Sequence, residues 1–141
     1  MKMISTCEKD TFQLGFSLAK EAKPGDIYCL EGDLGAGKTV FAKGFGWGLD
    51  IAEPISSPTF TILHEYHEGR LPLYHFDAYR IDDPGELYEI GYDEYFYGSG
   101  VCLIEWPSKV GELIPAGAYH VSISRDPEKG PEYREITVTR D

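Results

Sequence analysis

The sequence predicts a three-layer α/β fold built on one mixed parallel and antiparallel sheet. Three observations carry that prediction. A glycine-rich loop, Gly32-Asp33-Leu34-Gly35-Ala36-Gly37-Lys38-Thr39, stands between a short apolar run and a helical pattern. Two further apolar runs, 73–76 and 101–104, each stop at an acid, Asp77 and Glu105. Two pairs of runs are joined by short turns and should pair antiparallel, in a chain that otherwise alternates strand and helix.

Taken in order, residues 1–9 read as a lead-in segment. Asp10 followed by Gln13 gives a capping-box signature, and Phe12, Leu14, Phe16, Leu18, Ala19 and Ala22 supply a helical face. Lys23-Pro24-Gly25 stops that helix. Residues 27–30 form a buried strand, the glycine loop follows, and a helix opens near Lys38 and fades through Gly44, Gly46 and Gly48. After a hydroxyl-rich loop, Ser56-Ser57-Pro58-Thr59-Phe60-Thr61, a strand is expected over 60–66. A turn at 67–70 returns the chain through 73–76 to Asp77. Residues 84–97 read as one or two short acidic helices, with Asp82 or Asp83 as N-cap and Gly91 as a break. The strand 101–104 ends at Glu105, before Trp106-Pro107. The tail offers 118–124 and 133–139 as a β-hairpin.

The glycine loop matches G-x-x-x-x-G-K-[ST] without a mismatch, and its strand–loop–helix context is that of a phosphate-loop (P-loop) nucleotide site. Gly32, Gly35 and Gly37 lack Cβ and tolerate positive φ, so successive backbone N–H groups can converge on one anion-sized hollow. The helix starting at Lys38 adds its N-terminal amides and the positive end of its dipole. Lys38 would reach the β- and γ-phosphates and Thr39 would ligate Mg²⁺. The expected nucleotide contacts are Gly32, Asp33, Leu34, Gly35, Ala36, Gly37, Lys38, Thr39 and Val40.

Such a site also needs an acid at the end of a neighbouring apolar strand, to hold the metal directly or through water. Asp77 and Glu105 both have that context. One could bind metal while the other orients the attacking water, and residue types alone do not assign which. The 56–61 loop could offer a hydroxyl to the γ-phosphate and Mg²⁺, as ordering switch loops do, or be a turn into a strand. His64, His67, His75 and His120 lack metal-ligand spacing, and His75 reads as a hydrogen-bonded sheet residue. Tyr88, Tyr92, Tyr95, Phe96 and Tyr97 read equally as core and as a partner-binding face.

At 141 residues the chain is expected to form one domain, 1–141. Its formal net charge of −11 argues against unassisted binding to bulk nucleic acid, which needs clustered Lys and Arg. Cys7, Cys29 and Cys102 include no CxxC pair and read as reduced thiols, the last two buried as small apolar residues. No apolar run approaches the roughly 18 residues of a membrane span, so a cytoplasmic location and no membrane partner are expected.

Four separate blocks resemble the bacterial TsaE (YjeE) family: the glycine loop, Ser57-Pro58-Thr59-Phe60-Thr61, Tyr74-His75-Phe76-Asp77-Ala78-Tyr79-Arg80 and Leu103-Ile104-Glu105-Trp106-Pro107. They occur in the family's order over nearly the whole chain. The resemblance implies an ATPase, using ATP and Mg²⁺, required for making threonylcarbamoyladenosine in tRNA. Its implied partners are TsaB and TsaD, with tRNA met only through that complex. It implies Lys38 as the phosphate lysine, Thr39 as a Mg²⁺ ligand, Asp77 as the Walker-B-like aspartate and Glu105 as the second acid, so that Lys38, Asp77 and Glu105 are the catalytic set. Thr59 falls in the switch-like block, and Trp106 follows the acid. Rival readings are a GTPase, for which no Asn-Lys-x-Asp element is present, a small phosphotransferase, and a non-hydrolysing nucleotide-controlled assembly module. Arg70, Arg80, Arg125 and Arg134 read as isolated, with no arginine-bearing lid.

Overall fold

A computed structural model of the chain describes residues 1–33, 35–55 and 62–141. Leu34 of the expected nucleotide loop lies outside those residues. So do the 56–61 loop with Thr59 and the beginning of the strand expected over 60–66.

Seven strands form one sheet: β1 (Lys2–Ser5), β2 (Ile27–Glu31), β3 (Leu63–Tyr66), β4 (Leu73–Asp77), β5 (Val101–Glu105), β6 (Tyr119–Arg125) and β7 (Arg134–Arg140). Their order across the sheet is β1-β7-β6-β2-β5-β4-β3. The central β2 runs parallel to both β5 and β6, and β4 runs parallel to β5. β3, β7 and β1 join antiparallel at the two flanks. The expected mixed sheet is therefore observed, with the tail forming the expected hairpin.

Alternation along the central strands divides the core in two, as a sheet covered on both faces requires. Tyr28 and Leu30 of β2 and Val101 and Leu103 of β5 pack under α1 (Glu8–Glu21) and α2 (Lys38–Gly48). Ile27, Cys29, Cys102 and Ile104 face the other way, towards Leu87 of α3 (Gly85–Glu89) and Phe96 of α4 (Tyr92–Phe96). Cys29 and Cys102 are buried, and burial pushes both thiols up to about 12. Among the described residues, no helix is long and apolar enough to cross a membrane.

Three expectations need correction. The lead-in segment contains a strand: Lys2, Met3, Ile4 and Ser5 pair with Thr137, Ile136, Glu135 and Arg134 of β7. Four residues are too few to show a period, so only the tertiary partner reveals it. The first helix starts at Glu8, and Asp10 serves as its third residue rather than its N-cap. The Asp10 carboxylate reaches back to accept from the Thr6 N–H and hydroxyl.

The third correction concerns α2, which runs unbroken through Gly44, Gly46 and Gly48. These glycines are packing residues. A methyl group at Gly44 would drive into the Phe12 carbonyl oxygen, one at Gly48 into that of Phe16, and one at Gly15 into that of Phe41. Glycine lets the two backbones approach this closely, and the gain in packing outweighs its poor helix propensity. Arg70, read as isolated, instead donates to the carbonyls of Ala19, Lys20 and Ala22 at the end of α1.

Candidate nucleotide site at the carboxyl ends of the central strands

The phosphate loop leaves the end of β2 and enters α2, as its sequence requires. Gly35 and Gly37 adopt φ of +79° and +110°, which the glycine spacing anticipates. Gly32 is needed for a different reason, since a Cβ there would sit 2.7 Å from the Ile123 carbonyl oxygen of β6. The Ala36 N–H closes a turn on the Asp33 carbonyl at 3.0 Å. Thr39 and Val40 stand in the first turn of α2, with Thr39 exposed.

Strand register brings the two acids to this loop. Glu105 pairs with Leu30, the residue before the end of β2, and on its other side with Asp77 at the end of β4. Neighbouring strands lie about 4.8 Å apart, so the ends of β2, β5 and β4 present loop, Glu105 and Asp77 side by side. Expected site residues from three parts of the chain thus meet at one edge, where α/β sheets place their ligands.

Lys38 is buried, and its ammonium has no hydrogen-bond partner among the described residues. Burial holds its pKa below the ordinary lysine value, opposed by the charges of Glu105, Asp77 and Asp33. It stacks on an aromatic ring: Nζ lies 3.7 Å from the centroid of Trp106. Trp106 also contacts Tyr79, with ring centroids 4.9 Å apart. Its backbone is left-handed (φ 57°, ψ 51°), directly before Pro107, a conformation that costs a non-glycine residue about 1–3 kcal/mol. Sequence reading placed Trp106 after the acid but carried no signal for that strained conformation.

Glu105 is buried too, and His75 Nε2 lies 2.6 Å from its Oε2. His75 belongs to β4 and is fully buried, and its Nδ1 has no hydrogen-bond partner among the described residues. With the Glu105 carboxylate ionised, Nε2–H is the donor of this pair. The expectation of a hydrogen-bonded sheet histidine holds, and its partner is the site's own acid. Asp77 is half-buried, and its Oδ1 accepts from the Tyr79 N–H at 3.0 Å. Burial raises its pKa above the ordinary carboxylate value, with the Tyr79 N–H pulling the other way.

A cavity of about 390 Å³ opens beside the loop, lined by Gly35, Gly37, Thr39 and Val40 together with Thr11 and Arg134. Arg134, read as isolated in sequence, reaches the loop from β7 and donates to the Ala36 carbonyl at 2.7 Å. The Tyr-rich segment divides. Phe96 is buried against Phe76, whereas Tyr88 and Tyr97 are exposed.

The residues present fit a nucleotide phosphate chain. A buried ammonium with no hydrogen-bond partner among the described residues, a loop that takes positive φ at Gly35 and Gly37, and the N-terminus of α2 meet at one edge of the sheet. They also fit Mg²⁺, which in such sites takes one or two carboxylates, a hydroxyl and phosphate oxygens instead of an all-protein cage. Among the described residues there is no group of three or more His, Cys, Asp or Glu side chains able to hold a metal by themselves.

Comparison with known proteins follows the same line. The family model described as threonylcarbamoyl adenosine biosynthesis protein TsaE matches residues 5–136. The tRNA threonylcarbamoyladenosine biosynthesis protein TsaE of Bacillus subtilis is 53% identical over 118 residues, covering 84% of this chain and 72% of its own length. Its counterpart in Treponema pallidum is 44% identical over 124 residues, covering 88% and 90%. The crystal structure of YdiB from Bacillus subtilis superposes with a TM-score of 0.82 at 44% identity, covering 99% of this chain and 84% of that one. The matched span holds the phosphate loop, Asp77, Glu105 and Arg134, and the chain belongs to the TsaE family.

Proposed function

We propose that this chain is a Mg²⁺-dependent ATPase that supports threonylcarbamoyladenosine formation in tRNA by binding and resetting a TsaB–TsaD complex, meeting tRNA only through that complex. The relatives' shared role in threonylcarbamoyladenosine biosynthesis supports the pathway. The observation that carries the ATPase reading is that the Lys38 ammonium, without a hydrogen-bond partner among the described residues, feels the charges of Asp77 and Glu105 at the end of the loop.

In this reading the loop amides and the α2 N-terminus bind the phosphate oxygens, and Lys38 leaves the Trp106 ring to bind the β- and γ-phosphates. Bound Mg²⁺ would supply charge neutralisation across the β- and γ-phosphates. Thr39 would hold it together with Asp77 or Glu105, and the other of these two carboxylates would orient the attacking water. His75 fixes the rotamer of Glu105 through Nε2–H, so that the carboxylate is pre-oriented in a dry site.

The test is Mg²⁺-dependent ATP hydrolysis by the chain alone and with TsaB plus TsaD, with Lys38→Ala as control. Slow turnover that rises with the partners and vanishes in the variant is the expected result. ATP binding without turnover under any condition would make the chain a nucleotide-controlled assembly module, and the catalytic roles of Asp77 and Glu105 would be wrong.

A further inference from the structure

We infer that Arg134, from the far end of the chain, is a positioning residue that sets the phosphate loop in its anion-binding conformation. The inference rests on the nucleotide reading above and adds to it a part that none of the loop's own residues supplies.

Arg134 is the first residue of β7, where it pairs with Ser5 of β1 on one side and Arg125 of β6 on the other. Its guanidinium spans two segments. Nε donates to the Ala36 carbonyl at 2.7 Å, and a terminal nitrogen donates to the Gly35 carbonyl at 3.4 Å. The other terminal nitrogen donates to the carbonyls of Pro131 and Tyr133, both at 2.8 Å. The fork is thus anchored on the hairpin arm by one nitrogen and grips the loop with the other two.

The consequence follows from the peptide plane. In a trans peptide the C=O and the following N–H point in opposite directions. Holding the Gly35 carbonyl towards Arg134 turns the Ala36 N–H away, where it closes the turn on Asp33. Holding the Ala36 carbonyl turns the Gly37 N–H away from Arg134 in the same manner. Gly37 is the residue at which the loop passes into α2, with φ at +110°. A glycine there has wide conformational freedom, and an external clamp removes that freedom before any ligand arrives. All four acceptors are neutral carbonyls, so the guanidinium charge is not cancelled within its own hydrogen-bond set. It stands beside the cavity that Thr39 and Gly37 also line, but the carboxylates of Glu8 and Glu132 line it too, so its part in binding is carried by the fork on the loop carbonyls.

Two variants separate fork from charge: Arg134→Lys keeps the charge and loses the planar fork, and Arg134→Met loses both. Calorimetric titration with ADP and Mg²⁺ reads affinity, and amide NMR with inorganic pyrophosphate reads the loop itself. We expect Arg134→Met to weaken ADP binding by at least about tenfold and Arg134→Lys to recover only part of that loss. In both variants the pyrophosphate-induced shift of the Gly37 amide should shrink while resonances of β2 and β5 stay in place. A merely structural hairpin anchor would not give that pattern. Arg134→Lys binding within about twofold of wild type would overturn the inference, even if Arg134→Met failed to fold. Failure of the wild-type chain to bind ADP would instead overturn the nucleotide reading, and this inference with it.

Discussion

His75 and Glu105 form a buried pair in which neither side chain has solvent to fall back on. Removing the donor takes a hydrogen bond from a buried carboxylate, the costly half of any buried hydrogen bond. His75→Leu should therefore lower stability in urea unfolding by about 2–3 kcal/mol and raise the Mg²⁺ concentration needed for activity by about tenfold. His75→Gln, which places an amide N–H near the lost Nε2, should recover much of both. Lys38 and Asp77 work against stability while no ligand is present. Asp77 has a raised pKa, so its contribution is complete below the ordinary value of 3.8 and is lost as pH climbs through the folded-state value. Lys38 has a lowered pKa, so its contribution exists only above 10.5 and is lost as pH falls through the folded-state value. Both charges are therefore a cost near neutrality. Lys38→Met should stabilise the nucleotide-free protein by about 1 kcal/mol, a melting temperature higher by roughly 3–5 °C, while abolishing nucleotide binding. Asp77→Asn should flatten the loss of unfolding free energy seen in wild type as pH rises from 3.8.

At the scale of elements, the seam between α1 and α2 governs the site from a distance, because α2 carries Lys38 and Thr39 on its first turn. Gly44→Ala puts a methyl group against the rigid Phe12 carbonyl and should cost about 1–3 kcal/mol by thermal unfolding, although alanine is the better helix former. The opposite sign would mean that the helices separate freely. The same seam explains where sequence reading went wrong. Glycines inside a helical pattern look like an ending, and only the partner helix shows them to be a contact surface. β1 was hidden for the same kind of reason, since its partner β7 stands more than a hundred residues away. What was legible depended on local chemistry: the glycine loop, the apolar runs closed by acids and the terminal hairpin all carry their signal within a few residues.

For the molecule as a whole, the sheet order was only partly legible, yet the loop, Asp77 and Glu105 were expected at one edge and lie there, because any parallel arrangement of these strands puts their carboxyl ends on the same side. The roles of Arg134 and of Trp106 over Lys38 were not legible, since nothing in the spacing of residues so far apart records their contacts. The net charge of −11 has its own consequence. Without a basic stripe, the chain alone should not retain tRNA at physiological salt, with a Kd weaker than about 100 μM in filter binding. Tight retention by the isolated chain would overturn the proposal that it meets tRNA only through a complex.

The stacking of Trp106 on Lys38 makes the molecule its own optical gauge. An ammonium against an excited indole alters its emission, and phosphate oxygens that draw Lys38 away would alter it again. The second indole, Trp47, is 59% exposed on α2, so Trp47→Phe leaves a single emitter in the site. In that variant the emission should change in step with nucleotide addition, with no label attached, and the change should be absent when Lys38 is replaced by Met.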